Sequence, residues 1–339
     1  MRRRRAAALA LTSLLATTAV AACGSAASSS GPAATSTASG TASAGSSASA
    51  SATATGPDTY TSVTASGAFG KAPTVTIPAV AGNGPLYTKT LIQGTGPALT
   101  KADSLLGNFA MYDWSGTTHK EIGSTFSSGT PTLFTGQLLP GLETALIGQK
   151  TGSRVLAVIP PADAFGSAGN SQIGVKATDT VIFVIDLVQT IPNTESVPGK
   201  QTSNGGGALP TVTPETGKAP VITIPSSTPP KTLQVKALVK GTGPVVKKGQ
   251  SLIVQYTGVN WRTKKTFDAS WLHGSPFQTS IGVGQVITGW DKGLVGQPVG
   301  SRVLLVIPPA DGYKAAGSPS AGIKGTDTLV FVVDILAAS

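Results

Sequence analysis

The chain has 339 residues, a formal net charge of +10, one cysteine and two histidines. A single cysteine excludes an internal disulfide framework. The lysines are scattered, Lys231, Lys236, Lys240, Lys247 and Lys248 among them, which reads as solvated surface rather than a footprint for nucleic acid.

In chain order, Arg2 to Arg5 supply a positive start, and residues 6–22 form an apolar run too short for an assured membrane span. This reads as an export signal. It ends in Val20-Ala21-Ala22-Cys23-Gly24, which resembles the lipobox of bacterial lipoproteins, in which the cysteine sulfur is lipidated and the preceding segment is cut away, so residues 1–23 read as signal peptide and lipobox. Two or three acyl chains, at about 0.8 kcal/mol for each buried CH₂, would anchor the protein without a transmembrane helix. The expected location is therefore extracytoplasmic, lipid-anchored through Cys23 to the outer face of a bacterial cytoplasmic membrane. Removal of the four arginines lowers the formal charge from +10 to about +6 (10 − 4).

Residues 24–59 are almost wholly Ser, Ala, Thr and Gly, with nothing to bury, and read as a disordered tether with a root-mean-square span of roughly 30–35 Å. A duplication follows. Lys71-Ala72-Pro73-Thr74-Val75-Thr76-Ile77-Pro78 returns as Lys218-Ala219-Pro220-Val221-Ile222-Thr223-Ile224-Pro225, and Gly152-Ser153-Arg154-Val155-Leu156 returns as Gly300-Ser301-Arg302-Val303-Leu304. A period this long means two whole domains, residues 60–192 and 217–339, joined by a Gly/Ser/Pro/Thr-rich linker at 193–216. Each reads mainly as β, in short β-branched runs bounded by Gly and Pro. One helix is predicted in the second copy over 286–294, where Val286, Trp290 and Leu294 recur every four residues. Gly289 and Gly293 weaken it by about 1 kcal/mol each relative to Ala, so it needs tertiary packing. The fold class is α+β: in each copy a curved antiparallel sheet wraps around one short helix.

The second copy carries Val254-Gln255-Tyr256-Thr257-Gly258, Thr266-Phe267-Asp268-Ala269-Ser270, Ser275-Pro276-Phe277, Val286-Ile287-Thr288-Gly289-Trp290 and Asp311-Gly312-Tyr313 in that order. These strings gather aromatics around one carboxylate. Burying Asp268 is costly unless a donor such as Tyr256 accompanies it. The region resembles the FKBP-type peptidyl-prolyl cis–trans isomerases over essentially the whole domain. The resemblance implies a proline pocket in which Tyr256, Phe267, Asp268, Trp290, Tyr313 and Phe331 do the catalytic work, while Phe277, Val286, Ile287 and Ile323 bind substrate. It implies no cofactor and no metal. Its expected partners are proline-containing exported polypeptides, with macrolides as a ligand class for the same pocket. Lys314 stands where the family usually has glycine, and Ser318 to Gly322 lengthens the following loop; both are expected to shift substrate preference and macrolide affinity.

Those residue types suit the reaction. Rotation about an X-Pro bond is opposed by amide resonance and breaks no bond, so an apolar, water-poor hollow that disfavours the polar planar amide more than the twisted one is sufficient. The first copy departs at these positions: Phe109 for Tyr256, Ile122 for Phe267, Gly123 for Asp268, Thr132 for Phe277, Leu142 for Trp290 and Phe165 for Tyr313. It should fold, hold at most a shallow groove and isomerise little. His119 and His273 are not equivalent positions and are expected on loop surfaces, outside any metal site or triad. The reading is an extracytoplasmic, membrane-anchored isomerase that assists the folding of exported proteins through its second domain. The alternative is a non-catalytic peptide-binding holdase.

Overall fold

The computed structural model describes residues 57–136 and 138–339. The signal segment, Cys23 and the tether up to residue 56 lie outside the described residues. Two six-stranded antiparallel sheets of the same topology follow one another. The first domain opens with a small hairpin, β1 (Thr64–Ser66) and β2 (Thr74–Thr76). It continues through β3 (Tyr87–Ile92), β4 (Asp103–Ser115), β5 (Thr118–Ser124), β6 (Thr132–Phe134), helix α1 (Pro140–Leu146), β7 (Arg154–Ile159) and β8 (Thr180–Pro192). The second repeats this with hairpin β9 (Thr211–Thr213) and β10 (Val221–Thr223), then β11 (Gln234–Val239), β12 (Ser251–Asn260), β13 (Thr266–Ala269), β14 (Phe277–Ser280), α2 (Thr288–Leu294), β15 (Arg302–Ile307) and β16 (Leu329–Ala338). The sheet orders are β3-β7-β8-β4-β5 and β11-β15-β16-β12-β13, with β6 and β14 pairing beside β4 and β12. Each is a sheet wrapped around one short helix.

The apolar runs of β7 and β15 are buried at every residue because both faces of each sheet are covered. The helix packs on one face. On the other lies the small hairpin, with Tyr60, Val63, Ile77 and Trp114 in one cluster of the first domain, and Val212, Ile224, Val259 and Trp261 in the corresponding cluster of the second. A buried ion pair crosses each sheet at the same place. Arg154 and Asp186 are opposite residues of β7 and β8, with Nε to Oδ1 at 2.6 Å; Arg302 and Asp334 repeat this in β15 and β16 at 2.6 Å. In the first domain Arg154 also donates to the carbonyls of Gly67 and Lys71, which ties the covering hairpin to the sheet and satisfies two more guanidinium donors.

The stretch expected to join the copies is itself packed onto the second domain. Val197 is buried and its amide donates to Asp334, the Asn193 carbonyl accepts from Gln255 Nε2 at 2.8 Å, and Thr202 N donates to the Leu238 carbonyl at 2.9 Å. The domains also touch directly. The Gln278 side chain of β14 accepts from Leu133 N at 2.8 Å and donates to Pro131 O at 3.0 Å, so it bonds the backbone of β6 as a strand neighbour would. Leu106, Leu133, Ile191 and Ile253 form an apolar cluster beside it.

Helix α2 begins two residues later than the sequence periodicity predicts, after Ile287. Its glycines have a packing reason. A Cβ on Gly289 would lie 2.5 Å from Ile307 Cγ2, and one on Gly293 would lie 2.6 Å from Leu305 Cδ2. Bare backbone on that face lets the helix sit directly on β15, and this close approach offsets the low helix propensity of glycine. Gly141 does the same against Ile159 in the first domain, but Ala145 occupies the place equivalent to Gly293. Gly289→Ala is therefore expected to destabilise the protein by about 1–3 kcal/mol through overpacking, and Gly293→Ala by clearly less. Urea unfolding of the two variants checks this, and equal midpoints would refute the packing account.

Candidate functional site

In the second domain β13 and β14 pair with the same edge of β12, β13 at residues 257–259 and β14 at 251–254. Between them the chain leaves the sheet through a short helical turn, Ser270–Leu272. The break would orphan the amide of Tyr256, and Ser270 Oγ accepts from it at 2.8 Å. The first domain repeats the device with Thr125 Oγ1 accepting from Phe109 N at 2.9 Å. Further along, a register shift between Gly258 and Val259 interrupts strict alternation, and the neighbours Phe267 and Asp268 both reach the same hollow.

That hollow is a cavity of about 580 Å³. Tyr256, Phe267, Asp268, Phe277, Val286, Ile287, Trp290, Tyr313 and Phe331 all line it, together with Gln285, Thr288 and Lys314. Trp290 is buried and lies at the centre of an edge-to-face nest: its ring is 5.3 Å from Phe331 at 89°, 5.4 Å from Tyr256 at 80° and 6.4 Å from Phe277 at 78°. Phe267 meets Phe331 at 5.5 Å and 87°. Such arrangements place ring edges against ring faces and fix the orientation of each wall. Ile323 is the exception among the residues singled out in the sequence. It does not line the cavity; it is 3% exposed and packs in the core cluster with Trp290 and Phe331, because its backbone is drawn in by paired hydrogen bonds with Ser318.

Asp268 is held at both oxygens. The Tyr256 hydroxyl donates to Oδ2 at 2.5 Å, and His273 Nε2 lies 2.8 Å from Oδ1. From the sequence His273 is expected on a loop surface. It does lie in a loop, but the turn at Ser270–Leu272 brings it back over the carboxylate; the five-residue spacing from Asp268 was the available signal. His119, also expected in a loop, sits instead on β5 opposite Trp114. Burial, then the hydrogen bond and charge of Asp268, push the Tyr256 phenol well above its ordinary 10.0. Burial, followed by the Asp268 charge, raises that of Tyr313 as well. Both therefore remain protonated donors at neutral and moderately alkaline pH. The Tyr313 hydroxyl, at the mouth, makes no side-chain hydrogen bond among the described residues.

Gly258 was part of a recognised string without a stated reason. A Cβ there would come within 2.7 Å of Phe267 Cζ and 2.8 Å of Phe331 Cε1, so the two walls meet only over bare backbone. The first domain carries Met111 at this place, 2% exposed and packed with Phe109, Phe134, Leu142 and Phe183 in one core cluster, with Ile122 and Phe165 against it. Phe134, standing where β14 has Thr279, adds a ring 5.6 Å from Phe109. The positions that surround the hollow in one domain are thus packed together in the other. Among the described residues no group of three His, Cys, Asp or Glu comes together.

The model of the FKBP-type peptidyl-prolyl cis-trans isomerases matches residues 102–188 and 243–336. An FK506-binding protein of Streptomyces anulatus is 42% identical over 118 residues, which is 35% of this chain and 95% of that protein. A probable FK506-binding protein of Corynebacterium glutamicum is 34% identical over 121 residues, 35% of this chain and 98% of that protein. Among solved structures, that of the three FKBP domains of wheat FKBP73 is 20% identical and covers 75% of this chain and 94% of its own, with a TM-score of 0.30. Because the two matched segments together cover more than half of the chain, the chain belongs to the FKBP-type peptidyl-prolyl cis-trans isomerase family.

Proposed function

We propose that the second domain is the working isomerase of this chain and that the first is a packed, inactive relative. The observation that carries the reading is the open aromatic hollow with the Tyr256–Asp268 bond at its edge in one copy, against Met111 and Phe134 filling the other. A prolyl ring would sit over Trp290 between Phe267, Phe277 and Phe331, with Val286 and Ile287 offering backbone groups to the peptide. As the amide twists it loses resonance, its nitrogen pyramidalises and its carbonyl becomes less polar; the dry walls favour that state over the planar one. The Tyr313 hydroxyl, without a hydrogen-bond partner among the described residues, donates to a substrate carbonyl. Asp268, fixed by Tyr256 and His273, sets a negative potential beside the turning bond. The clients are proline-containing exported polypeptides, and the same hollow would accept macrolides. Cys23 carries the lipid that holds the protein at the outer face of the cytoplasmic membrane, with residues 24–59 as tether.

Three changes that convert the second pocket toward the first test the assignment in the full chain. Asp268→Gly, Phe277→Thr and Tyr313→Phe should each lower kcat/KM on a short X-Pro peptide, the first two by tenfold or more, equivalent to about 1.4 kcal/mol of transition-state stabilisation. Thr132→Phe in the first domain should leave it within about twofold, a difference of roughly 0.4 kcal/mol. A protease-coupled assay reads this, and unchanged rates across the set would favour a non-catalytic binder. Because both phenols are raised above 10.0, the wild-type rate should hold as pH rises from neutrality toward 10, and a loss near pH 8 would contradict their protonated role. Cys23→Ala should move the protein from the membrane fraction to the soluble extracytoplasmic fraction, which cell fractionation reads directly.

A further inference from the structure

Lys314 lines the cavity and holds a backbone φ of +54°, a left-handed conformation that glycine adopts freely and L side chains adopt only with strain. The first domain shows what the loop itself requires. Phe165 and Tyr313 have φ, ψ of −95°, 3° and −84°, 6°, and the glycines that close the loops, Gly169 and Gly317, have 59°, −159° and 63°, −161°. Between them the position of Lys314 is taken by Gly166, with φ +59° and no atom within 4 Å of a Cβ built there. The backbone course is the same in both copies. In the domain with the open hollow a lysine has replaced glycine at a strained position, and packing in the loop does not demand it.

Nor does an internal ion pair explain it. Among the described residues Lys314 forms no salt bridge: the nearby Asp311 is bound by Lys292 at 2.8 Å, and Asp268 is bound by His273. Lys314 is thus an exposed ammonium at the lip of an apolar cavity, adjacent in sequence to the free Tyr313 hydroxyl. Resting on the reading of the second domain as the isomerase, we propose that Lys314 is a specificity residue that selects peptides carrying a side-chain carboxylate next to the proline. The prolyl ring occupies the hollow, and the flanking Asp or Glu meets the ammonium at its rim. The pair is solvent-exposed, so the selection is modest and screened by salt.

The test uses the full chain and C-terminally amidated peptides, so that the only carboxylate is the one under study. Glu, Gln or Lys is placed before the proline in one set and after it in another. Wild-type protein at low salt should favour Glu over Lys by about three- to fivefold in kcat/KM in one of the sets, and the ratio should shrink toward one at 1 M salt. Lys314→Gly should abolish the ratio and Lys314→Glu should invert it. Because the readout is a ratio within each variant, a general loss of activity does not obscure it. Calorimetric titration of the same peptides gives the ratio of Kd values should turnover be absent, which separates failure of this inference from failure of the isomerase assignment. A ratio near one in the wild type, or one that survives Lys314→Gly, overturns the proposal. So does failure of every peptide to bind.

Discussion

The open volume in the second domain depends on one missing side chain. Phe267 comes from β13 and Phe331 from β16, and both lean across β12 at Gly258, where even a methyl group would overlap both rings. With that position bare, the two phenyl groups meet edge to face and stand as walls. Trp290 then fits against Phe331 from the helix side, held at the right height because Gly289 and Gly293 let α2 rest directly on β15. Two close approaches, one across the sheet and one between helix and sheet, therefore leave a hollow that apolar collapse would otherwise fill.

The first domain is the internal control. It keeps the sheet order, the helix, the buried Arg–Asp pair and the side-chain acceptor that repairs the broken edge of the central strand. The differences that bear on the cavity lie at its lining. Met111 replaces the bare glycine, Phe134 turns a ring inward from the edge strand, and Leu142 stands for the indole. The core becomes continuous there. Duplication thus left one copy with a packed centre and the other with a lined cavity on the same backbone.

Much of this was legible in the sequence because it depends on large side chains in fixed order. The aromatic strings and the helix around Trp290 follow from composition and spacing, the set of pocket residues is what the family resemblance implies, and the structure brings nine of those ten to one cavity. The covering hairpins were visible as a repeat but not as strands, since three-residue strands such as Thr74–Thr76 carry too little alternation to register. Ile323 packs in the core cluster with Trp290 and Phe331, and in sequence an apolar residue near a pocket motif looks the same whether it faces the hollow or the core behind it. His273 escaped notice because its partner is reached through a turn, and spacing alone does not say that a loop folds back. Gly258 and Met111 were overlooked because the information there is an absence of atoms, which becomes meaningful only when the neighbouring rings are in place.

The contact between the domains falls on quasi-equivalent positions. Leu133 and Gln278 occupy the same register on β6 and β14, as do Leu106 and Ile253 on the strands beside them. Each domain presents the same edge to the other, and duplication alone would give a matched apolar pair there. The glutamine changes its character: its amide reads the donor and acceptor of the opposing backbone at Leu133 and Pro131 and also donates to Ser251 Oγ at 2.6 Å. A polar group that bonds on both sides tolerates no sliding, whereas an apolar patch of four side chains would. Since β14 begins at Phe277, the strand that contributes one wall of the cavity is the same strand that is pinned to the first domain. The copy with the packed centre is therefore joined to the copy with the cavity at the rim of that cavity rather than at a distance from it.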